Sequence, residues 1–273
     1  MIRLPRAGLL LAGLILPLTP TAAQHGSHDG HATHQTVEPI AAAVAASSRT
    51  AANVARDQYR HPAETLAFFG VTPEQTVVEY APGGGWYTEI LAPLLREKGT
   101  FYALQPGGRG FDRYKEFLAA KPPVYDKVKL VAFPDQTSLI PANSVDTLLT
   151  FRNVHNMVMA GSEAATFKAF YDLLKPGGAL GIVDHRLPES RDSALEKSSG
   201  YLKVSTIRRL AEAAGFEYAG SSEINANAKD SADWPKGVWT LPPTLTNGEV
   251  DKAKYLAVGE SDRMTLKFRK PLK

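Results

Sequence analysis

Thr76-Val77-Val78-Glu79-Tyr80-Ala81-Pro82-Gly83-Gly84-Gly85-Trp86-Tyr87-Thr88-Glu89 is the stretch that decides the fold of this 273-residue chain. A short β-branched run ends in an acid, passes through the glycines and opens into Glu89-Ile90-Leu91-Ala92-Pro93-Leu94-Leu95-Arg96. The pattern predicts a strand over Thr76–Tyr80 and a helix over Trp86–Arg96 that Pro93 can kink. Strand, glycine turn, helix is how an open α/β sheet builds a nucleotide pocket. Glycine lets a ligand approach the backbone, and the helix N-terminus offers unpaired N–H groups. A glycine triplet is equally compatible with a tight turn that holds nothing, so the rest of the chain has to decide.

Downstream, the chain keeps alternating. Strands are expected over Thr100–Leu104, Val128–Phe133, Val145–Phe151 and Ala179–Asp184. Helices are expected over Phe111–Ala120, over Ser162–Leu174 (ended by Lys175-Pro176-Gly177-Gly178), and over Ser205–Ala214, with Ser205 as N-cap and Gly215 beyond the far end. Phe216–Ser221 and Met264–Arg269 read as two last strands. Between them Asn225–Glu260, with Trp234, Trp239, Pro235, Pro242 and Pro243, is an aperiodic excursion of the kind that forms lids, binding loops or surface decoration. Upstream, Ala51–Tyr59 looks helical, His61-Pro62 breaks it, and Ala63–Phe69 is a second helix that Gly70 can cap.

The beginning of the chain reads differently. A basic head with Arg3 and Arg6, an apolar run from Ala7 to Leu18 and the small residues up to Ala23 form the pattern of a secretory signal, here expected over 1–23. Its apolar run is shorter than the roughly 20 residues a spanning helix needs, and no membrane span is expected after cleavage. Export, to the periplasm of a Gram-negative bacterium, is the expected localisation. Residues 24–50 read as a flexible His- and Ala-rich linker, helical at most around Ile40 to Ala46, in which His25, His28, His31 and His34 recur every third residue. Four imidazoles so spaced could bind Zn²⁺ or Cu²⁺ loosely, or be only a solvated tail that loses entropy on closing around a metal. Residues 51–273 remain as one α/β domain.

Composition narrows the function. Removing Arg3 and Arg6 with the signal takes the 31 Lys and Arg to one more than the 28 Asp and Glu, a balance that argues no nucleic-acid role. With no cysteine there is no disulfide, thiol nucleophile or thiolate metal site. Oligomeric state leaves no mark on the sequence.

The order of these elements resembles the class I S-adenosylmethionine-dependent methyltransferases, and within them a group of exported bacterial proteins described as predicted methyltransferases. The resemblance rests on Arg60-His61-Pro62, on Pro82 through Pro93, on Phe151-Arg152-Asn153-Val154-His155-Asn156 and on Leu174-Lys175-Pro176-Gly177-Gly178. It implies a Rossmann-like, seven-stranded mixed sheet of order 3-2-1-4-5-7-6, strand 7 antiparallel, with helices on both faces. It also implies S-adenosylmethionine across the carboxyl ends of strands 1 and 2, and a small-molecule acceptor. Glu79 then matches the acidic position near the methionine ammonium, Gly83, Gly84 and Gly85 the glycine turn, and Asp135 the neighbour of the adenine amino group. Two positions depart. Ala81 stands where the first glycine is usual, which a methyl tolerates only at negative φ and away from the ligand. Gln105 stands where an acid usually accepts both ribose hydroxyls, which loses the charge-assisted strength, roughly half of the bond.

Of the 7 histidines, those outside the tail are His61, His155 and His185, each at a break or strand end. On the implied topology His155 and His185 share the crevice of the donor methyl group, accompanied by Arg152, Asn153, Asp184 and Arg186. Methyl transfer needs chiefly alignment, and a base only where the acceptor is protonated. The expected roles are His155 as base and Asn153 as orienter of the acceptor, with Arg152, Arg186, His185 and His61 on the substrate side. Arg152 has a second reading as a structural partner of Asp184. Two other functions stay open at this point. One is a non-catalytic exported protein that reuses the fold to hold a nucleotide-like or other small ligand; the other is a metal-handling protein whose His tail is the active part.

Overall fold

The computed structural model describes Met1, Ile2 and residues 38–273. The expected signal segment and the tail histidines His25, His28, His31 and His34 lie outside the described residues. A seven-stranded sheet organises the rest: β1 (Thr76–Tyr80), β2 (Thr100–Pro106), β3 (Lys129–Phe133), β4 (Val145–Phe151), β5 (Leu174–His185), β6 (Glu217–Ser222) and β7 (Arg263–Arg269). Their order is 3-2-1-4-5-7-6, with β7 antiparallel to both β5 and β6 and the other pairs parallel. This is the Rossmann-like methyltransferase fold that the sequence order implies.

The central strands read as continuous apolar runs because both faces are covered. Side chains alternate across β1. Val78 and Tyr80 enter one core with Leu148, Phe167 and Phe170, whereas Val77 enters the other with Phe69, Ile90 and Leu149. Glu79 shares the face of Val77, so a carboxylate is carried into an otherwise apolar layer. Register then lines up the strand ends. Thr150 of β4 stands beside both Tyr80 of β1 and Ile182 of β5. Ala81, Arg152 and Asp184–His185 therefore leave the sheet at one edge, at the point where the strand order reverses.

Between the strands run α5 (Thr88–Leu95), α6 (Arg109–Ala119), α9 (Glu163–Leu173) and α10 (Val204–Ala213), close to where periodicity predicts them. Ser205 lies inside α10, whose N-cap is Lys203, and its hydroxyl and N–H are both tied to the Glu189 carboxylate. The Leu174-Lys175-Pro176-Gly177-Gly178 segment is not a turn but the first part of β5, paired irregularly with β4 and closed by Gly177 N–H to Lys270 O at 2.8 Å.

The N-terminal layer differs from expectation. Residues 38–44 form a helix, α1, whose Ile40 is fully buried against the α5 face, so the linker expected up to residue 50 is packed from residue 38 onward. The single helix expected over Ala51–Tyr59 is two short ones, α2 (Ala51–Val54) and α3 (Asp57–Arg60), and left-handed His61 (φ 39°) turns the chain into α4 (Pro62–Phe69). Polar contacts seat this layer on the start of α5. Thr50 N–H donates to Glu89 Oε2 at 3.0 Å, and Trp86 Nε1 to Asn53 O at 3.0 Å. Three further helices were not evident in the sequence: α7 (Pro122–Tyr125), α8 (Val154–Ala160) and α11 (Lys252–Val258).

The excursion after β6 is packed rather than loose. Asp230 accepts from Tyr201 Oη, Trp234 Nε1, Ala232 N–H and Asp262 N–H. Around it Leu187, Tyr201, Ala232 and Val238 form a small core with Trp234 and Trp239.

Within the glycine turn, Gly83 and Gly85 have positive φ and Gly84 does not. A Cβ on Gly85 would run into the Phe117 ring of α6, while one on Gly84 meets nothing within 4 Å. Gly85→Ala is therefore expected to lose about 1–3 kcal/mol of stability in urea unfolding through overpacking and backbone strain. Gly84→Ala should stay within about 0.5 kcal/mol of the parent chain. Equal midpoints for the two variants would contradict this packing of the turn.

Candidate active site

Two cavities open at the strand ends. The first, about 270 Å³, is lined by Glu79, Ala81, Pro82, Gly83 and Gly84 from β1 and its turn, by Trp86 and Tyr87 ahead of α5, by Phe151, Arg152 and Asn153 after β4, and by Asn53, Arg56 and Arg60 from the N-terminal layer. The second, about 150 Å³, is lined by Arg152, His155, Asn156, His185, Val238, Trp239, Pro242, Thr244, Glu260 and Ser261. Arg152 is the residue common to both.

Two non-glycine residues at this edge hold left-handed backbone: Ala81 at φ 52° and Arg152 at φ 64°. The condition under which an alanine suits position 81 is thus not met: φ is positive and the residue lines the cavity. Its conformation, costing of order 1 kcal/mol, is held from outside. Ala81 N–H donates to Leu104 O at 2.9 Å, and Asn153 Nδ2 donates to Ala81 O at 3.1 Å and to Phe151 O at 3.0 Å. Asn153, expected to orient an acceptor, thus uses its amide N–H groups to bind the β1 and β4 loops together. Gly85, expected to contact the ligand, instead lets α5 pack on Phe117 and does not line the cavity.

Glu79 is 3 % exposed, and burial pushes its carboxyl up to about 8, against the pull of a 3.2 Å hydrogen bond from Thr88 Oγ1. Thr88 in turn shares a 2.7 Å bond with the buried Tyr114 hydroxyl. Near neutral pH the wall of the first cavity thus carries a protonated acid. Gln105, at the end of β2, is buried, and its Oε1 has no hydrogen-bond partner among the described residues. Asp135 is exposed in the turn after β3.

In the second cavity the organising group is Asp184, fully buried at the end of β5. Its Oδ2 accepts from His155 N–H at 3.1 Å, and its Oδ1 from His185 N–H and His155 Nδ1, both at 2.8 Å. The carboxylate thereby assigns His155 the Nδ1–H tautomer and leaves Nε2 as an acceptor in the cavity. His155 sits in the first turn of α8, which places it directly after β4. His185 is held by Ser261 Oγ on Nδ1 at 2.5 Å and by Arg152 Nε on Nε2 at 3.4 Å. Burial first, then the positive charge of Arg152, holds His185 well below the usual histidine range. His155, Asp184 and His185 offer ligand atoms within 4.8 Å of one another. With Asp184 engaged by three donors and a guanidinium on His185, the arrangement is a hydrogen-bonded dyad and not a metal cage.

Behind Arg152 stands a group the sequence did not reveal. Glu260 accepts from Arg56 Nε at 2.6 Å and from Arg60 Nε at 3.2 Å, and it pairs with Arg263 Nη1 at 3.2 Å. Burial opposes ionisation of Glu260, but Arg60, Arg263 and Arg56 outweigh it and bring the carboxyl down to about 2. Burial likewise brings Arg60, Arg152 and Arg263 each down to about 10. Arg60 stands in the Arg60-His61-Pro62 motif, but otherwise only spacing hinted at the group: Arg56 and Arg60 are four apart, Glu260 and Arg263 three apart.

The structure brings together Glu79, Ala81, Gly83, Gly84, Arg152, Asn153, His155 and His185 at the two cavities. It leaves out Arg186, bound to Asp262 and Glu223, and His61, the turn between α3 and α4; neither lines a cavity. Arg152 makes no hydrogen bond to Asp184; its contact is His185.

No protein-family model and no curated protein matches this sequence. Solved structures do match in fold. An S-adenosylmethionine-dependent methyltransferase from Aquifex aeolicus aligns with a TM-score of 0.55 and 16% identity over 79% of this chain and 92% of its own. The 4+2 cyclase SpnF aligns at 0.51 and 15% identity over 87% and 93%. A methyltransferase of the same cofactor class from Methanosarcina mazei aligns at 0.50 and 11% identity over 74% and 95%. At these identities the likeness establishes the methyltransferase fold.

Proposed function

We propose that this protein is an S-adenosylmethionine-dependent methyltransferase acting on a small acceptor whose nucleophile carries a proton. The observation that carries the reading is the shared wall of the two cavities. On one side of Arg152 lie the β1 glycine turn and buried Glu79, and on the other the His155–Asp184 dyad.

The residues present suit that cofactor. Glu79 would receive an ammonium, and Gly83 and Gly84 leave backbone open to a ligand; Gln105 lines neither cavity, but its Oε1 is orphaned and would accept from a ribose hydroxyl brought to it. When bound, the cofactor supplies an electrophilic methyl group with its own leaving group. The chain's part is then geometric and acid–base. His155 Nε2 takes the proton from the acceptor, while Asp184 fixes the ring and stabilises the imidazolium that results. Trp239 and Pro242 cover the dyad from the excursion and exclude water from the transfer. The domain is delivered by the secretory signal to the periplasm.

A second reading, a binding protein without catalysis, draws on export away from the cytoplasmic supply of the cofactor and on Gln105 in place of an acid. The cyclase SpnF shares this fold, which shows that the fold alone does not fix the chemistry.

Titration calorimetry separates the two. S-adenosylmethionine should bind, and at pH 7 binding should release most of a proton as Glu79, held near 8, ionises against the incoming ammonium. Buffers of different ionisation enthalpy read that proton directly. Glu79→Gln should abolish the release and weaken binding; an unchanged proton count in this variant would show that Glu79 does not face the ammonium. No binding of the cofactor at all would leave the binding-protein reading.

For the chemistry, His155→Ala should cut methyl transfer to a panel of phenols and carboxylic acids by about 10²–10⁴, with cofactor affinity retained. A raised acceptor KM at unchanged kcat would make His155 a binding residue instead.

A further inference from the structure

The first cavity has more positive charge than its own residues neutralise. Arg56, Arg60 and Arg152 line it, and Arg263 lies behind them. Facing these four guanidiniums from the packed elements are two carboxyl groups: Glu260, shared by three of them, and Asp184, whose oxygens are taken up by His155 and His185. The remaining acid on the wall is Glu79. Nη2 of Arg56 and Nη2 of Arg60 are buried and have no hydrogen-bond partner among the described residues. Arg60 is 5 % exposed and held face-on over Trp86, 4.7 Å from the ring, so it does not swing out to water. A buried guanidinium N–H without an acceptor is costly, and a planar oxyanion is the group that satisfies several at once.

We propose that this arginine cluster is an oxyanion site for the acceptor, which therefore carries a carboxylate or phosphate group. The assignment to the acceptor rests on the methyltransferase reading; the oxyanion site itself does not. The charge of the methyl donor decides between the two sources of such a group. The donor brings one carboxylate but also an ammonium and a sulfonium, and the proton that Glu79 gives up on binding only offsets that charge, so the excess of the arginines remains. An anion from a second molecule is what balances the assembled site. Position agrees, since Arg152 reaches from this cavity to the one that holds His155.

The test uses inorganic phosphate as probe, titrated into the full chain at low ionic strength, alone and saturated with S-adenosylhomocysteine, which has the donor's carboxylate without the sulfonium. Phosphate should raise the melting temperature in both states, and each ligand should leave the other's affinity unchanged or tighter. Arg152→Gln, which breaks no hydrogen bond to a carboxylate, should weaken phosphate at least tenfold and S-adenosylhomocysteine less than twofold. Arg56→Gln, on the more exposed member, serves the same purpose if the first variant does not fold. Mutual exclusion of the two ligands would overturn the proposal, because the donor's own carboxylate would then be the anion. So would phosphate binding indifferent to both variants, or no phosphate binding beside intact S-adenosylhomocysteine binding. Phosphate binding that depends on the arginines, without any S-adenosylhomocysteine binding, would keep the oxyanion site and remove the methyltransferase reading on which the acceptor assignment rests.

Discussion

A single buried carboxylate, Glu260, holds the ends of this chain over its site. It bonds Arg56 and Arg60 of the N-terminal layer and pairs with Arg263 at the start of β7, so segments about two hundred residues apart meet on its two oxygens. Burying charges is expensive, and such a group persists only where every partner contributes. Removing Glu260 alone would leave three guanidiniums facing one another beside Arg152. The same contact fixes the lid of the first cavity, since Arg56 and Arg60 form part of its lining. Closure of the site and integrity of the N-terminal layer are therefore one physical event.

Strain gathers at the same edge. Ala81 and Arg152 both adopt left-handed backbone, and Asn153 ties their two loops together. With β1 and β4 in register, these turns leave the sheet side by side, and neither relaxes without moving the other. Left-handed Arg152 has its guanidinium between the cavities, on His185 and not on Asp184. Asp184 is thus free to hold His155. A relaxed backbone at 152 would surrender that division of labour, which gives the strain a use.

How much of this was legible follows from which forces leave a pattern in sequence. Strand positions were legible because two-sided burial writes continuous apolar runs, and the glycine turn because close backbone packing demands it, whereas the strand order came from the family resemblance. His155 was legible as a polar residue just past a central strand. The α8 helix that carries it was not: Val154–Ala160 is too short for periodicity and starts from an ordinary strand exit. Gly85 shows a related limit: sequence shows that a glycine is required but not that Phe117 packs where its Cβ would stand. The loop contacts of Asn153 were hidden because an amide beside a site looks the same whether it serves a substrate or a loop. Glu260 and Arg263 were invisible, since tertiary contacts across such a distance carry no local signal. Ile40 hid for the opposite reason, one buried apolar side chain in a polar neighbourhood.

Fold likeness here reaches both methyltransferases and a cyclase, so the chemistry has to be argued from charge and proton position. Glu79 is the informative group on that count. A carboxyl held near 8 by burial is poised to stay neutral alone and to ionise when a cation arrives. Its cost of burial is lowest when the site is empty and is repaid only by a positively charged partner. The guanidiniums a few residues away ask for the opposite sign. One wall favours a cation and another an anion, with Arg152 and a tautomer-fixed His155 between them. A binder of one neutral nucleoside would need neither wall; a single zwitterion, or two molecules of unlike charge, would use both. The division of charge therefore supports the proposed transfer between two ligands only together with the position of His155, which lies beyond Arg152 in the second cavity.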